Sequence, residues 1–405
     1  MKRVVVIGGG ASGLMAAYAA AKNGNAVTLV EKNEKLGKKI YITGKGRCNL
    51  TNACRPEDFL PNVVHGGKFL TGAIYAFPPE RMMELWQSFV LQLKVERGSR
   101  VFPASDHASD VTKTLERACR SAGVIIRLNE TVEAVQIEDN AVKGVKTDAA
   151  EYPCDIAIVA TGGVSYPATG STGDGYRFAK EAGHGIVPCV PSLVGVNLKG
   201  DFSDLQGISL KNVVLSAKRN EKTFFSEMGE LLFTHYGVSG PLVLSLSAQI
   251  NRLPLNEVSL SIDLKPALDE KTLDARLLRE FADRKNADIK NVMRALLPAG
   301  LVLSVLKLAG VEPTKKVSEI TKGERAKLVK ALKDFPLYPV ALRGFTEAVV
   351  TSGGVDLKEI NPKTMESKKI KGLRFCGEVL DIDAYTGGFN LQIAFSTGFV
   401  AGNTI

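Results

Sequence analysis

The sequence predicts an open α/β fold interrupted by inserted modules. Three observations carry this: an apolar run entering closely spaced glycines near the N-terminus, further glycine clusters near the C-terminus, and a change of residue character between them. The first run is Val4-Val5-Val6-Ile7, β-branched residues leading into Gly8-Gly9-Gly10-Ala11-Ser12-Gly13. Leu14, Ala17, Tyr18 and Ala21 follow at helical spacing, and Ala26-Val27-Thr28-Leu29-Val30-Glu31 reads as the next strand. Strand, glycine turn, helix and strand form a βαβ unit of the dinucleotide-binding kind. Gly8 makes its tight turn, Gly10 removes a Cβ that would block a pyrophosphate, and Gly13 lets the helix lie close to the strand. Ala11 and Ser12 stand at the helix start, where N–H groups face an anion. Glu31, followed by Lys32, ends the second strand. A carboxylate there accepts hydrogen bonds from ribose hydroxyls and repels a 2′-phosphate, which favours FAD or NAD over NADP.

The stretch from Gly37 to Asn52 alternates cations and glycines around hydrogen-bonding side chains, a second approach to phosphates and a ring system. Gly44 and Gly46 let backbone N–H groups converge, Arg47 offsets phosphate charge, and Cys48, Asn49 and Thr51 complete the segment. The other reading is a solvated basic loop. Glu80 to Leu93 has the spacing of an amphipathic helix with Met83, Trp86, Val90 and Leu93 on its core face. Thr131 to Asp148 reads as a hairpin turning at Glu138-Asp139-Asn140. Ile156 to Ala160 is a strand buried on both faces that stops at Thr161-Gly162-Gly163, where ligands of open α/β sheets collect and where these glycines allow close packing on a cofactor.

Gly170 to Gly175 precedes a short helix over Tyr176 to Ala182, either as another glycine loop or as a simple turn and cap. From Pro188 the character changes. Val213 to Ala217 and Val258 to Leu264 read as strands of a β-rich module, and Leu268 to Lys333 as helical. The chain returns to the nucleotide domain near Phe345, with a strand over Glu347 to Val355 and another over Gly372 to Asp381. Tyr385 to Gln392 then enters a small-residue helix over Ala394 to Ala401, whose N-terminus can face a flavin ring.

At 405 residues the chain exceeds one ordinary core, and 45% hydrophobic with 23% charged residues is an ordinary globular composition. The net charge of +9 suits an anionic cofactor, an acidic substrate or nucleic acid, but Lys-rich stretches such as Lys368-Lys369-Ile370-Lys371 read as solvated faces. The six cysteines contain no C-x-x-C pair and the four histidines are scattered, so neither a redox dithiol nor a metal site is predicted and a reduced, cytoplasmic protein fits. Cys48, with no resolving partner, reads as a packed loop residue rather than a redox thiol. The glycine triplet argues against a secretory signal at the N-terminus, and Leu296 to Val311 is too interrupted to span a membrane and reads as a buried helix.

Together these motifs resemble the bacterial FAD-dependent oxidoreductases called the aminoacetone oxidase or BaiN-like family, over essentially all 405 residues. The resemblance rests on Gly8 to Gly13, Thr43 to Asn52, Ala160-Thr161-Gly162-Gly163 and Gly170 to Gly175. It rests also on Phe233-Thr234-His235-Tyr236-Gly237-Val238-Ser239-Gly240-Pro241 and on Gly377-Glu378-Val379-Leu380-Asp381 with Gly387-Gly388-Phe389-Asn390. It implies a glutathione-reductase-like FAD-binding Rossmann domain with an inserted β-barrel-like domain and an inserted helical domain. The expected divisions are 1–188 and 346–405 for the FAD domain, 189–265 and 335–345 for the β-rich insert, and 266–334 for the helical insert. Gly377, Glu378 and Phe389 are expected to bind the cofactor, and Asp381, Gly387, Gly388 and Asn390 to lie around its ribityl chain and flavin ring. His235 and Tyr236 are the candidate catalytic groups, able to move a proton and polarise a carbonyl, or else structural residues that cap a turn or fill the domain interface.

The implied activity is hydride transfer through non-covalent FAD to or from a small organic substrate. No second G-x-G-x-x-G follows an independent strand, so NADH or NADPH enters only as a transient donor, or the substrate itself reduces the flavin. The alternatives are an oxygen-using amine or amino-ketone oxidase, a flavin-containing RNA-binding or tRNA-modifying protein, and a flavin-binding regulator. RNA ranks below a small molecule as partner because no RNA-binding motif with interleaved aromatics is present, and no membrane partner is expected. Substrate identity and oligomeric state stay open.

Overall fold

The computed structural model describes residues 1–405 and divides them into two compact units, one of 1–192 with 344–405 and one of 193–343. The first is built on a five-stranded sheet of β1 (Arg3–Ile7), β2 (Ala26–Glu31), β3 (Ile125–Leu128), β4 (Ile156–Val159) and β5 (Leu373–Phe375), in the order β5-β4-β1-β2-β3. Every pairing is parallel, with Ile7 beside Val159 on one side and Val30 on the other. Strands β4 and β5 are buried throughout, as continuous apolar runs in a covered parallel sheet must be, whereas the edge strand β3 alternates.

Helix α1 (Ala11–Lys22) follows β1, and helix α2 (Phe389–Asn403) closes the chain against it. The contact is close because α2 is small where it meets α1: a Cβ at Gly398 would stand 2.3 Å from the Ser12 carbonyl oxygen, and one at Gly402 2.2 Å from that of Ala16. This helix begins at Phe389, five residues before the expected Ala394, so Phe389 and Asn390 lie in its first turn.

The hairpin at Asp139-Asn140 forms with both residues left-handed (φ 52° and 55°), the geometry of a type I′ turn. The helix expected over Glu80 to Leu93 runs instead over Pro79–Ser88 and buries Met82 and Trp86, with Met83 only half-buried. The Leu91 N–H bonds back to the Trp86 carbonyl and the Val90 N–H to that of Gln87. That Schellman closure puts Val90 at φ 65° and leaves it 79% exposed, so Val90 and Leu93 never share the helix face.

The second unit holds a seven-stranded antiparallel sheet whose outermost strands, Phe335–Leu337 and Pro339–Leu342, are separated by Tyr338 alone, so the sheet curls until its edges are neighbours. Helices Glu270–Asp283, Ala299–Ala309 and Lys322–Lys333 join the strands in one hydrophobic cluster. The β-rich and helical stretches, read from sequence as two modules, therefore share a single core. Neither group of elements covers its apolar face alone. The chain leaves the first unit along Ile186–Ser192 and re-enters it along the antiparallel partner Val350–Val355. No helix is long and apolar enough to cross a membrane.

Candidate dinucleotide site

The three motif glycines answer three different demands. Gly8 sits at φ 103°, and a Cβ there would lie 2.7 Å from the Ala160 carbonyl oxygen. At Gly13 a Cβ would lie 1.9 Å from the Gly8 carbonyl oxygen, so only glycine lets α1 approach the turn. At Gly10 a Cβ would meet nothing within 4 Å. Protein packing gives no reason for glycine at this position. The space it leaves lies at the start of α1, which has no side-chain cap. Uncapped N–H groups at a helix N-terminus, carrying the positive end of the dipole, suit a pyrophosphate.

Glu31 ends β2 as expected. Its Oε2 accepts from the Gly9 N–H at 2.7 Å, and its Oε1 accepts from the Asn33 backbone N–H at 2.8 Å and side-chain amide at 2.6 Å. A carboxylate offers about four lone-pair positions, so a ribose hydroxyl still finds an acceptor. The residues present thus fit FAD at the pyrophosphate turn and the adjacent ribose. Lys32 is committed elsewhere, to Asp174 at 2.7 Å and Thr172 at 2.5 Å.

The Thr43–Asn52 segment is closed by its own groups. Arg47, expected to face phosphate, is held by Glu96 and by Asp106 and lies 4.2 Å from the centre of the Phe102 ring. Arg47 holds the Glu96 carboxyl below its usual range, and Lys94 and then Arg47 do the same for Asp106. Arg47 N–H donates to the Gly44 carbonyl and Cys48 N–H to that of Thr43, so two donors of the expected anion nest close a turn instead. Gly46 is left-handed at φ 84° and its carbonyl accepts from Ala108. Cys48 is fully buried, and burial pushes its thiol up, which fits the packed residue and not a reactive thiol. With its amide oriented to satisfy its neighbours, Asn49 donates to the Thr51 and Val101 carbonyls and accepts from the Gly388 N–H at 3.0 Å. Thr51 donates to Gln392 at 2.6 Å.

The C-terminal motif is likewise largely internal. Gly377 is left-handed, and a Cβ would lie 2.3 Å from Ser12 Oγ. Glu378 accepts from Lys39 Nζ at 2.7 Å, Ser165 Oγ at 2.8 Å and the Thr351 N–H at 2.8 Å, so its carboxylate ties together three segments of the first unit. Asp381 Oδ1 accepts from the Gly353 N–H at 3.1 Å. Gly388 packs on Thr51, whose carbonyl carbon and oxygen would lie 2.3 Å from a Cβ, while Gly387 at φ 121° makes the turn before it.

Two residues expected to bind the cofactor make contacts within the protein. Phe389 is buried edge-on against Phe59, 5.0 Å between ring centres. Asn390 brackets the preceding loop, accepting from the Ala384 N–H and donating to the Ala384 carbonyl. Gly163, expected against a cofactor, makes room for Thr351, whose Oγ1 would stand 2.4 Å from a Cβ, and Gly162 lies beside Ser171. The Thr161 hydroxyl is buried without a hydrogen-bond partner.

His235 and Tyr236 form the two-residue turn between strands Lys222–Thr234 and Gly237–Ser239 of the second unit. His235 is exposed, with Tyr236 as its ring neighbour, while Tyr236 packs beside Gly195 and under the Arg343 guanidinium at 4.4 Å. This geometry shapes a turn. A cluster that no spacing in the sequence announces stands in the first unit, where strand Val63–His65 pairs with Asp383–Ala384. Asp383, 0% exposed, accepts from Ser192 at 2.8 Å and Ser352 at 3.0 Å and lies 2.6 Å from His65 Nδ1.

Residues 2–404 match the HI0933-like protein Rossmann domain family. The 3-dehydro-bile acid delta(4,6)-reductase of Clostridium scindens is 33% identical over 411 residues, covering 99% of this chain and 98% of that protein. The ribosomal RNA dihydrouridine synthase of Escherichia coli is 30% identical, covering 98% and 96%. Among solved structures, the 3-ketosteroid delta1-dehydrogenase of Sterolibacterium denitrificans shares the fold at 15% identity with a TM-score of 0.53, covering 100% of this chain and 99% of that one. With its uncapped glycine turn and near full-length relatives, the chain belongs to the HI0933-like family and is an FAD-dependent oxidoreductase.

Proposed function

We propose that this enzyme adds the elements of H2 across a carbon–carbon double bond conjugated to a carbonyl. The names of the two relatives describe that one change on different molecules, a 3-dehydro bile acid reduced at Δ4,6 and uridine of ribosomal RNA reduced to dihydrouridine. In each compound the carbonyl polarises the double bond, so the β-carbon accepts hydride and the α-carbon a proton. On this chain the open space at Gly10, before an uncapped helix, supports the FAD part of the reading, while the acceptor rests on the two relatives.

The pyrophosphate of FAD lies in this reading against Gly10 to Gly13, with the adenosine ribose on Glu31. Asp381, Gly387 and Gly388 stand on the ribityl side. Bound and reduced, FAD supplies the hydride. NADH or NADPH serves as the transient donor, since the chain carries no second glycine fingerprint. Anaerobic mixing of the yellow holoprotein with NADH and NADPH, followed at the visible flavin band, tests the donor. The reduced protein is then mixed with 4-androstene-3,17-dione or with an unmodified ribosomal RNA transcript. Reoxidation with a product two hydrogens heavier supports the reading, and the acceptor that works sets the substrate class. A flavin that neither acceptor reoxidises, but that amines reduce under air with peroxide release, overturns it in favour of an oxidase.

The RNA arm of that experiment has a physical motive. The second unit holds 23 Lys and Arg against 17 Asp and Glu, while the first holds 29 against 26. An excess of cations concentrated in the smaller unit favours a polyanion over a steroid. An RNA complex that weakens steeply with salt supports this choice.

A further inference from the structure

Asp383 has no exposed surface and no Lys or Arg partner; its oxygens are met by His65, Ser352 and Ser192. A carboxylate taken out of water costs several kcal/mol unless it is hydrogen-bonded and paired, so it persists only with a donor held firmly on it. Here that donor is the His65 ring at 2.6 Å, which fixes the imidazole with Nδ1 inward. The other nitrogen, Nε2, has no protein partner and is not among the buried polar atoms, and the His65 side chain is 24% exposed. An imidazole anchored through one nitrogen by a buried carboxylate, with the other nitrogen presented outward, is built to pass a proton.

The remaining histidines lack this arrangement. His184 is buried with both nitrogens engaged, by Glu359 at 3.1 Å and Ser367 at 2.8 Å, and His107 and His235 are exposed. The place of His65 in the chain is also informative. It pairs with Asp383, two residues after Asp381, and a Cβ on the following Gly66 would lie 3.0 Å from the Asp381 carbonyl oxygen. Strand Asp383–Ala384 then runs directly into the Gly387-Gly388 turn at the start of α2. His65 therefore abuts the segment assigned above to the ribityl side of the cofactor.

We propose that His65, positioned by Asp383, is the proton donor of the double-bond reduction, an inference that rests on the function proposed above. In the step, bound and reduced FAD would supply a hydride to the β-carbon, while the His65 imidazolium gives its Nε2 proton to the α-carbon and keeps Nδ1–H on Asp383. The two electrons of the hydride and one proton saturate the double bond, the flavin is left oxidised, and water returns a proton to His65. Ser352 and Ser192 hold the Asp383 carboxylate and take no part in the transfer.

The test uses holoprotein labelled with 15N in histidine, with the His65 signals identified by their loss in His65→Gln. Reduction of the bound flavin by dithionite is expected to shift the His65 Nε2 resonance and leave that of buried His184 in place. A His65 ring unmoved by reduction overturns the proposal whatever any acceptor does. In single turnover, reduced His65→Gln is expected to be reoxidised by the working acceptor at least about 100-fold more slowly than wild type. Its FAD content should be unchanged, and the solvent deuterium effect seen in the wild type should be lost. Reoxidation within twofold of wild type overturns the proposal. Asp383→Asn should shift the His65 Nδ1 resonance, because the carboxylate that accepts from it is gone. Because Asp383 is buried and this variant can misfold, His65→Gln, at a partly exposed position, carries the kinetic arm. Failure of the wild type to reduce either acceptor counts against the double-bond reading itself, and the resonance shift then decides on His65 alone.

Discussion

Two glycine-rich segments of the first unit, Gly8 to Gly13 and Thr43 to Asn52, look alike as sequence and differ in what occupies the space beside their glycines. A Cβ at Gly10 would meet nothing within 4 Å, whereas a Cβ at Gly44 would lie 2.9 Å from the Asn49 nitrogen. The first segment leaves helix N–H groups without a side-chain cap; the second spends its cation on Glu96 and Asp106. Glycine marks close approach in both, but the partner is a ligand in one reading and the protein's own backbone in the other.

The largest expected effect comes from Gly13→Ala, whose new Cβ meets the Gly8 carbonyl oxygen at 1.9 Å. Urea unfolding of the apoprotein should show a loss of roughly 3 kcal/mol, at the upper end for an overpacked site. A stable, FAD-replete Gly13→Ala protein would break the close-packing account. Gly10→Val separates binding from folding, because its side chain enters open space. The purified protein should fold, yet its FAD affinity should fall by at least about tenfold, equivalent to about 1.4 kcal/mol, as read from the ratio of flavin to protein absorbance. Full FAD loading in that variant would falsify the assignment of the turn.

Arg47→Ala sharpens the contrast from the other side. Its FAD loading should stay that of the wild type, with a modest fall in Tm from loss of the Glu96 and Asp106 pairs; loss of FAD with no change in Tm would return Arg47 to the phosphates. The smallest effect is on acid sensitivity. Glu96 is held below the usual carboxylate range first by Arg47, and Asp106 by Lys94 and then Arg47. Carboxyls depressed in the folded protein contribute stability that is present above their unfolded pKa, about 4, and is lost as the pH falls through the depressed range. Wild-type Tm should therefore drop on acidification below about pH 4, and Arg47→Ala should drop less. Equal slopes would remove the ion-paired closure from the explanation.

The sheet was legible because its signals are local. Val4 to Ile7, the glycine turn, a helical run and the strand ending at Glu31 are consecutive, and each supports the others. The hairpin at Asp139-Asn140 could be placed for the same reason. What escaped the sequence was set by distant partners. Arg47 lies 49 residues from Glu96 and 59 from Asp106, so its neutralisation leaves no trace in the spacing. His65 and Asp383 are 318 residues apart. Val90 was misplaced because a helical period continues on paper past Ser88, while the Schellman closure that ends the helix depends on backbone geometry. That the β-rich and helical stretches share one hydrophobic cluster could not be read, because periodicity shows what faces a core and not whether two faces share one.

Strand β5 stands next to β4 within the sheet that carries the nucleotide turn, yet its residues, Leu373 to Phe375, are synthesised only after the whole of the 193–343 unit. The 193–343 unit, by contrast, is one uninterrupted stretch of chain. During translation, where domains form as their residues emerge, that unit holds its full set of strands and helices while the first sheet still waits for an edge and for α2. The order of folding then runs against the order of the chain. A polypeptide released after Arg343 carries everything its middle needs and cannot complete the N-terminal sheet on which FAD depends.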